Sequence, residues 1–105
     1  MIAPGVAIGP GKADLLEGIK ETGSISGAGR RMGMSYKRAW YLVETLNNHF
    51  DRPLVETLKG GRAGGGAQLT PLGEEVLCAF REMEQLTAAA IAPILRRLKR
   101  KAPLQ

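Results

Sequence analysis

The chain has 105 residues and a formal net charge of +5 at pH 7, which suits a single domain with an anionic partner such as nucleic acid or acidic lipid. Cys78 is the one cysteine, so an internal disulfide is excluded and a reducing cytoplasm is the expected compartment. The start MIAPGVAIGPGK does not resemble a secretory signal, and no apolar run approaches the roughly 20 residues of a membrane span, so we expect no membrane partner.

The first predicted helix follows an extended lead-in over residues 1–11, which are rich in glycine and proline and therefore favour irregular structure. Between Lys12 and Thr22 apolar residues recur at helical spacing, and Gly23 is the glycine that often follows a helix C-terminus. The apolar face contains Leu15, Leu16 and Ile19, and the outward face contains Asp14, Glu17, Lys20 and Glu21.

A short second helix is predicted next. Ser24 or Ser26 provides its N-cap, and Gly33 ends it. Gly27 and Gly29 each weaken the helix by roughly 1 kcal/mol relative to alanine. We therefore expect this helix to depend on tertiary packing.

The middle of the chain predicts a third helix and then a β-hairpin. Ser35 caps the helix, which runs to about Phe50, and its single buried stripe consists of Ala39, Val43, Leu46 and Phe50. Residues 54–58 and 67–70 have the apolar and β-branched character of strands, and the glycine-rich loop between them permits a hairpin.

The last helix is long and carries an extended apolar stripe. Thr70 and Pro71 provide its cap and first residue, and Pro93 is expected to kink or divide it. The stripe is either covered by the chain's own hairpin or paired with a second copy; we favour the homodimer. The predicted dimer interface consists of Val76, Phe80, Met83, Thr87, Ala90 and Ile94, with Leu98 continuing the stripe and Leu72, Leu77, Leu86, Ile91 and Leu95 widening it.

These elements predict a mainly α fold with a β-hairpin. The order α-α-α-β-β-α is that of a winged helix-turn-helix over residues 12–70, followed by a long C-terminal dimerisation helix over 71–101 and a tail over 102–105. The basic end of that helix, Arg96 to Lys101, contacts DNA phosphate or an acidic membrane surface, or is simply a solvated helix end. Cys78 is expected to be a small buried residue.

Residues 23–40, GSISGAGRRMGMSYKRAW, provide the helix-turn-helix itself. Ala28 and Gly29 allow the second helix to cross the third closely, and Gly33 provides the turn between them. The first turn of the third helix is then free to enter the major groove, where lysine and arginine donate to guanine O6 and N7. The predicted base-reading residues are Ser35, Tyr36, Lys37, Arg38 and Tyr41.

Alternatives remain for several of these side chains. Lys37 and Arg38 also fit a merely solvated helix face, although the surrounding turn pattern favours DNA. Trp40 is interpreted as a core or interface anchor and not as a base-stacking residue. Weaker phosphate contacts are assigned to the second helix at Ser24, Ser26, Arg30 and Arg31, of which one arginine is expected to be only solvated.

The loop KGGRAGGG of residues 59–66 is interpreted as a wing. It has the spacing of a phosphate-binding loop but lacks the lysine and hydroxyl residue that such a loop needs. A flexible linker is the competing interpretation. Flanking strands favour a hairpin tip that lies along the sugar–phosphate backbone, with contacts from Lys59, Gly60, Gly61 and Arg62.

The motifs GSISGAGRRMGMSYKRAW and KGGRAGGGAQLTPLGEE resemble the N-terminal DNA-binding domain of the ModE family of molybdate-responsive regulators, whose fold is related to the LysR-type domains. The resemblance covers roughly Gly11 to Gln85, and it implies a winged helix-turn-helix with a long helix that pairs two subunits. Family members sense molybdate through C-terminal domains of another fold. Because the sequence ends at Gln105, we expect no molybdate site and no cofactor.

The resulting prediction is a dimeric, sequence-specific regulator that binds double-stranded DNA. One alternative is a winged helix used as a protein-interaction or assembly module. Another is the DNA-binding half of a molybdate-sensing system that a different chain completes. An enzyme is not expected, because His49 and Cys78 are the single histidine and cysteine and neither forms part of a convergent catalytic set.

Overall fold

The computed structural model describes residues 10–58 and 66–101. In these residues three helices precede a two-stranded antiparallel hairpin, and a helix of 31 residues follows it. The order confirms the predicted winged helix-turn-helix with a long last helix. The elements are α1 (Pro10–Thr22), α2 (Ile25–Arg31), α3 (Tyr36–His49), β1 (Val55–Leu58), β2 (Gly66–Leu69) and α4 (Pro71–Lys101).

Two prolines behave differently from the prediction. α1 begins at Pro10, so the expected lead-in over residues 1–11 is two residues too long. Proline is favoured at the first helical position because its missing N–H has no intrahelical partner there. α4 continues through Pro93 to its last residue, so this proline does not divide the helix, and a kink at Pro93 stays a prediction. The loss of one ladder hydrogen bond is tolerated within a segment rich in alanine and leucine, which have high helix propensity.

Serine caps and two glycines define the turns between the first three helices. Ser24 and Ser35 are the N-caps of α2 and α3, and each Oγ accepts a hydrogen bond from the backbone N–H three residues later, at 2.8 and 3.1 Å. Of the two candidate caps for α2, the structure thus selects Ser24. Gly23 and Gly33 have φ of +78° and +71°, a region that a side chain disfavours.

One apolar core joins α1–α3 to the hairpin and to the first part of α4. Its helices approach closely because small residues stand at the crossings: a Cβ added to Gly18 in α1 would lie 3.0 Å from the Cβ of Ala28 in α2. The core residues are Ala13, Leu15, Leu16, Ile19, Ile25, Ala28, Ala39, Val43, Leu46, Leu54, Val55, Ala67, Leu69, Leu77 and Phe80.

Asn47 joins the end of α3 to the start of β1. Its Oδ1 accepts hydrogen bonds from the N–H groups of Leu54 and Val55 at 2.9 and 3.1 Å, and its Nδ2 donates to the carbonyl of Val55 at 3.1 Å. Its side chain therefore fixes the position of the hairpin relative to α3.

A further hydrogen bond holds the hairpin to the turn between α1 and α2. The strands pair antiparallel, with Val55 opposite Leu69, and the N–H of Ala67 donates to the carbonyl of Gly23 at 2.9 Å. The hairpin is therefore bonded to both sides of the helix-turn-helix, and its base has a defined position.

The start of α4 is packed directly against the segment that enters β1. Thr70 is its cap as predicted, since Thr70 Oγ1 accepts from the N–H of Gly73 at 3.0 Å. The N–H of Thr70 donates to the carbonyl of Leu54 at 2.9 Å, and a Cβ added to Gly73 would lie only 2.1 Å from that same carbonyl oxygen. No side chain fits at position 73.

Ion pairs attach α4 to α1 on the outside of the core. The guanidinium of Arg81 contacts Asp14 and Glu17 of α1 at 2.8 Å each, and Glu84 on its own helix at 3.0 Å. These hydrogen bonds raise the pKa of Arg81, so it is charged at any pH at which the protein folds. The face of α1 that was predicted to be simply solvated is thus partly a contact surface.

Cys78 is exposed on α4, and the expectation of a buried cysteine is wrong. The helix turns Leu77 into the core, and the next residue consequently points away from it.

Within residues 10–58 and 66–101, none of the helices is both long and apolar enough to cross a membrane.

Candidate nucleic-acid interface

The close crossing of α2 and α3 positions the predicted recognition helix. A Cβ added to Gly29 would lie 3.2 Å from the Cβ of Ala39 and 3.4 Å from the carbonyl oxygen of Met34. The N–H of Met34 also donates to the carbonyl of Gly29 at 2.9 Å. A side chain at position 29 would press against Ala39 of α3, so glycine suits this crossing. The expected softness of α2 is offset by the close packing that glycine allows.

Gly27 is constrained in the same way. A Cβ at this position would meet the Oγ of Ser24 at 2.7 Å and the Oγ1 of Thr22 at 2.9 Å, so it would disturb the cap of α2. Both glycines of α2 serve the geometry of the helix-turn-helix.

The side of α3 opposite Ala39 presents two cationic side chains. Lys37 and Arg38 are exposed, and in the described part of the chain neither side chain has a hydrogen-bond or ion-pair partner. Tyr41, one turn later, is 62% exposed. Three of the predicted base-reading residues thus lie on solvent-accessible surface with their polar atoms available.

Ser35 and Tyr36 differ from those three because each already makes a hydrogen bond. The hydroxyl oxygen of Ser35 accepts from the N–H of Arg38, which leaves its O–H free to donate. The ring of Tyr36 stands edge-on to the indole of Trp40, with centroids 6.3 Å apart and planes at 83°. The Nε1–H of Trp40 donates to the Tyr36 hydroxyl oxygen.

The two arginines of α2 differ in whether they have an ion-pair partner. Arg31 pairs with Glu21 of α1 at 2.5 Å, whereas Arg30 is exposed and unpaired among the described residues. Of these two arginines, only Arg30 therefore offers a free guanidinium to a phosphate. Ser24 is engaged as the helix cap, and Ser26 is half-buried, which makes both less suited to the phosphate contacts predicted for them.

The predicted wing contacts lie outside the described residues. Lys59, Gly60, Gly61 and Arg62 all fall in the segment 59–65, and their contacts stay predictions. The described base of the hairpin is fixed against α3 by Asn47 and against the α1–α2 turn.

The predicted dimer stripe on α4 divides into two parts. Phe80 is 9% exposed and belongs to the chain's own core, and Val76 packs against that core. The expectation that they lie wholly at a dimer interface therefore needs correction. Beyond them the stripe leaves the domain: Met83 is 36% and Ile94 48% exposed, and Thr87 and Ala90 are exposed as well.

Further exposed apolar side chains continue this surface to the end of α4. They are Leu86 (63%), Ile91 (41%), Leu95 (47%) and Leu98 (60%). Near its start a groove of about 260 Å³ is lined by Phe50, Leu72, Val76, Phe80 and Met83 together with two other residues of α4. Such a contiguous apolar surface is typical of an interaction site.

Asn47 and Arg81 are the residues whose positioning roles sequence reasoning missed. An asparagine near a helix end has the same local signal whether it ends the helix or reaches across to a strand. Arg81 looks like any surface arginine until the fold brings α1 beside it.

In the described part of the chain no group of histidine, cysteine or acidic residues is arranged to hold a metal ion.

Comparisons with known proteins agree with this geometry. A model of the bacterial regulatory helix-turn-helix proteins of the lysR family matches residues 13–74, which extend from α1 into the first turn of α4. Among solved structures, full-length LTTR LysG from Corynebacterium glutamicum with bound effector Arg superposes with a TM-score of 0.64 at 30% identity, covering 92% of this chain and 31% of that one.

Curated relatives carry names connected with molybdenum. Molybdenum-pterin-binding protein MopA of Rhodobacter capsulatus is 44% identical over 84 residues, 80% of this chain and 32% of that protein. DNA-binding transcriptional dual regulator ModE of Escherichia coli (strain K12) is 36% identical over 81 residues, 77% of this chain and 31% of that protein. The chain spans about a third of the length of these relatives, and the matches confirm the resemblance to the ModE family.

Proposed function

This chain belongs to the LysR family of bacterial regulatory helix-turn-helix proteins, and from that premise we propose that it acts as a transcriptional regulator that reads a specific duplex DNA sequence with α3 as a homodimer. Membership in the family makes residues 13–74 a DNA-binding domain of the kind that transcriptional regulators carry. The compartment that follows for such a protein is the bacterial cytoplasm.

One observation carries the proposal. Lys37 and Arg38 project without partners in the described part of the chain, from the first turn of a helix whose opposite side is locked by the Gly29–Ala39 crossing. Rigid placement of the helix is what base reading requires, because the side chains that project from it must reach acceptors in the groove within hydrogen-bond distance. A merely solvated pair of cations needs no such support.

Affinity and specificity come from different groups under this proposal. Contacts to phosphate by Arg30, and by Lys59 and Arg62 of the predicted wing, provide salt-dependent binding that is the same for every sequence. Lys37 and Arg38 provide the preference among sequences, since lysine and arginine pair best with guanine O6 and N7 in the major groove.

The homodimer is supported by the part of α4 that projects beyond the domain. From Met83 onward its apolar side chains are exposed, although a soluble monomer rarely leaves such a stripe uncovered. The groove beside Phe80 continues the same surface onto the domain. A two-fold pair would present two copies of α3 to an inverted-repeat DNA site, with half-sites about 34–36 Å apart.

Charge along α4 favours an antiparallel pair. Its first half carries Glu75 and Glu82, besides Glu74 and Glu84, which pair with Lys20 and Arg81 of the same chain. Its last turns carry Arg96, Arg97, Lys99, Arg100 and Lys101. In a parallel pair like charges would lie side by side, which destabilises paired helices. In an antiparallel pair the basic end of each helix lies along the acidic half of the other.

Selection of preferred duplexes from a random pool tests the proposal. We expect an enriched motif for the parent protein, and we expect Lys37→Ala or Arg38→Ala to lower affinity for it by about 1–3 kcal/mol while relaxing preference at one position. Lys20→Ala removes the same charge on the α1–α4 side, where Lys20 pairs with Glu74, and should leave the motif unchanged. A parent protein that enriches no motif would contradict sequence-specific binding and would favour the alternative of a protein-interaction module.

The names of the relatives favour a second proposal, that this domain serves a molybdenum-responsive system in which another chain or domain binds the anion. We propose that residues 10–58 and 66–101 do not bind molybdate themselves. Calorimetric titration with molybdate should show no heat of binding; micromolar affinity would contradict this.

We also propose no catalytic activity. The Nδ1 of His49 is buried with no hydrogen-bond partner among the described residues, so this imidazole is not oriented by a carboxylate as catalytic histidines usually are.

A further inference from the structure

Tyr36 and Trp40 form a hydrogen-bonded pair on the surface that meets DNA under the proposed function. They are one helical turn apart on α3, so their side chains lie on the same face. Tyr36 is 55% exposed, while Trp40 is half-buried and packs against the core. The outer ring therefore rests on an inner ring that the fold holds in place.

The direction of the hydrogen bond between them is unambiguous. The indole N–H can only donate, whereas a phenol oxygen can both donate and accept. The Nε1–H of Trp40 thus occupies the acceptor side of the Tyr36 oxygen, and the edge-on ring geometry holds the phenol in one orientation. The hydroxyl hydrogen of Tyr36 must then point away from Trp40.

We propose that Trp40 is a positioning residue that fixes the Tyr36 hydroxyl as a hydrogen-bond donor toward DNA. This inference rests on the proposed function and adds a preference to it. A donor suits purine N7, guanine O6 and thymine O4, and it does not suit the amino groups of cytosine and adenine. Tyr36 therefore favours an acceptor at the position it meets, and Trp40 enforces this without touching DNA.

The first test needs no DNA, and it examines the pair by itself. Because Trp40 is the single tryptophan, its indole N–H gives one resolved proton resonance. Tyr36→Phe should move that resonance upfield and speed its exchange with solvent, whereas Tyr41→Phe, a matched loss of a hydroxyl from the same helix, should not. An unchanged resonance in Tyr36→Phe overturns the inference and leaves the proposed function standing.

The second test is a double-mutant cycle on the preferred duplex. Tyr36→Phe and Trp40→Phe should each weaken binding about three- to tenfold, the range for one hydrogen bond, with less than a twofold effect on unrelated duplexes. In the Tyr36→Phe background Trp40→Phe should have no further effect on binding, because the hydroxyl that it orients is gone. A purely structural role would weaken binding equally in both backgrounds, and that result would overturn the inference.

Selection from the random pool separates the two claims. If the parent enriches a motif but the cycle shows no coupling, sequence-specific binding stands and the role of Trp40 is wrong. If the parent enriches no motif, the proposed function fails and the inference fails with it, whatever the resonance shows. Trp40→Phe should also broaden the enriched motif at a single position, and a motif that is unchanged at every position would contradict the positioning role.

Discussion

Replacing Asn47 with alanine should detach the hairpin from α3 and destabilise the domain. The side chain makes three hydrogen bonds to the backbone of residues 54 and 55, and each contributes about 0.5–1.5 kcal/mol net. Their loss costs about 2–4 kcal/mol, because the N–H and carbonyl groups left behind are partly buried. Alanine regains roughly 0.5 kcal/mol through its higher helix propensity, so we expect a net loss of about 2–3 kcal/mol.

Asn48 provides a matched control for this substitution. It is the next residue of α3 and has the same side chain, but it is exposed and makes no side-chain hydrogen bond in the described part of the chain. Asn48→Ala carries the propensity gain alone and should be neutral or slightly stabilising. The difference between the two variants therefore isolates the hydrogen bonds of Asn47.

The assay is urea unfolding followed by far-UV circular dichroism, at one fixed protein concentration because a dimer couples stability to concentration. Asn47→Ala should lower the urea midpoint with little change in slope, and should lower the thermal midpoint by about 8–12 °C at roughly 4 °C per kcal/mol. If the two variants unfold within about 0.5 kcal/mol of one another, the side chain does not hold the hairpin and the reasoning fails.

Three further outcomes are expected. Gly73→Ala should destabilise the domain by at least about 3 kcal/mol in urea unfolding, because its Cβ would lie 2.1 Å from a backbone carbonyl oxygen and the backbone would have to move to relieve the clash. As a control, Gly11→Ala, whose Cβ would meet nothing within 4 Å, should be neutral or stabilising. Glu21→Gln should free Arg31 from its ion pair and tighten binding to all duplexes alike, with a steeper salt dependence in filter binding; an effect confined to one duplex would contradict this. Ile94→Glu should shift the protein toward monomer in sedimentation while leaving its helix content unchanged, and a stable dimer would count against the proposed interface.

Local chemistry predicted the parts of the fold that neighbouring residues determine. Ser35 and Thr70 cap helices and Gly33 makes the turn, because each of these roles depends on atoms within about four residues of sequence. The roles of Asn47 and Arg81 depend on partners that only the folded chain supplies. Cys78 was misplaced for a related reason: α4 is apolar on more than one side, and periodicity alone does not show which side the domain covers.

In the candidate site, too, the sequence predicted what neighbouring residues determine and missed the contacts that only the folded chain supplies. Lys37 and Arg38 follow a capped turn, and a capped turn fixes which side chains of the next helix face outward. The hydrogen bond from Trp40 to Tyr36 has no such signal, since an aromatic pair four residues apart looks the same whether or not its polar atoms meet. Distinguishing Arg30 from Arg31 also required the fold, because the acid that pairs with one of them lies on α1.

The ion pairs make the distribution of charge over the surface uneven, although the net charge is modest. The carboxylates of Asp14, Glu17 and Glu84 share one guanidinium, that of Arg81, so this cluster keeps a net negative charge. Lys37 and Arg38 have no such partners in the described part of the chain, and their charge is left to act outward. A surface that concentrates unpaired cations attracts a polyanion from a distance and orients it before contact. The acidic cluster between α1 and α4 therefore repels a polyanion, whereas the unpaired cations of α3 attract it to the side that carries the base-reading residues.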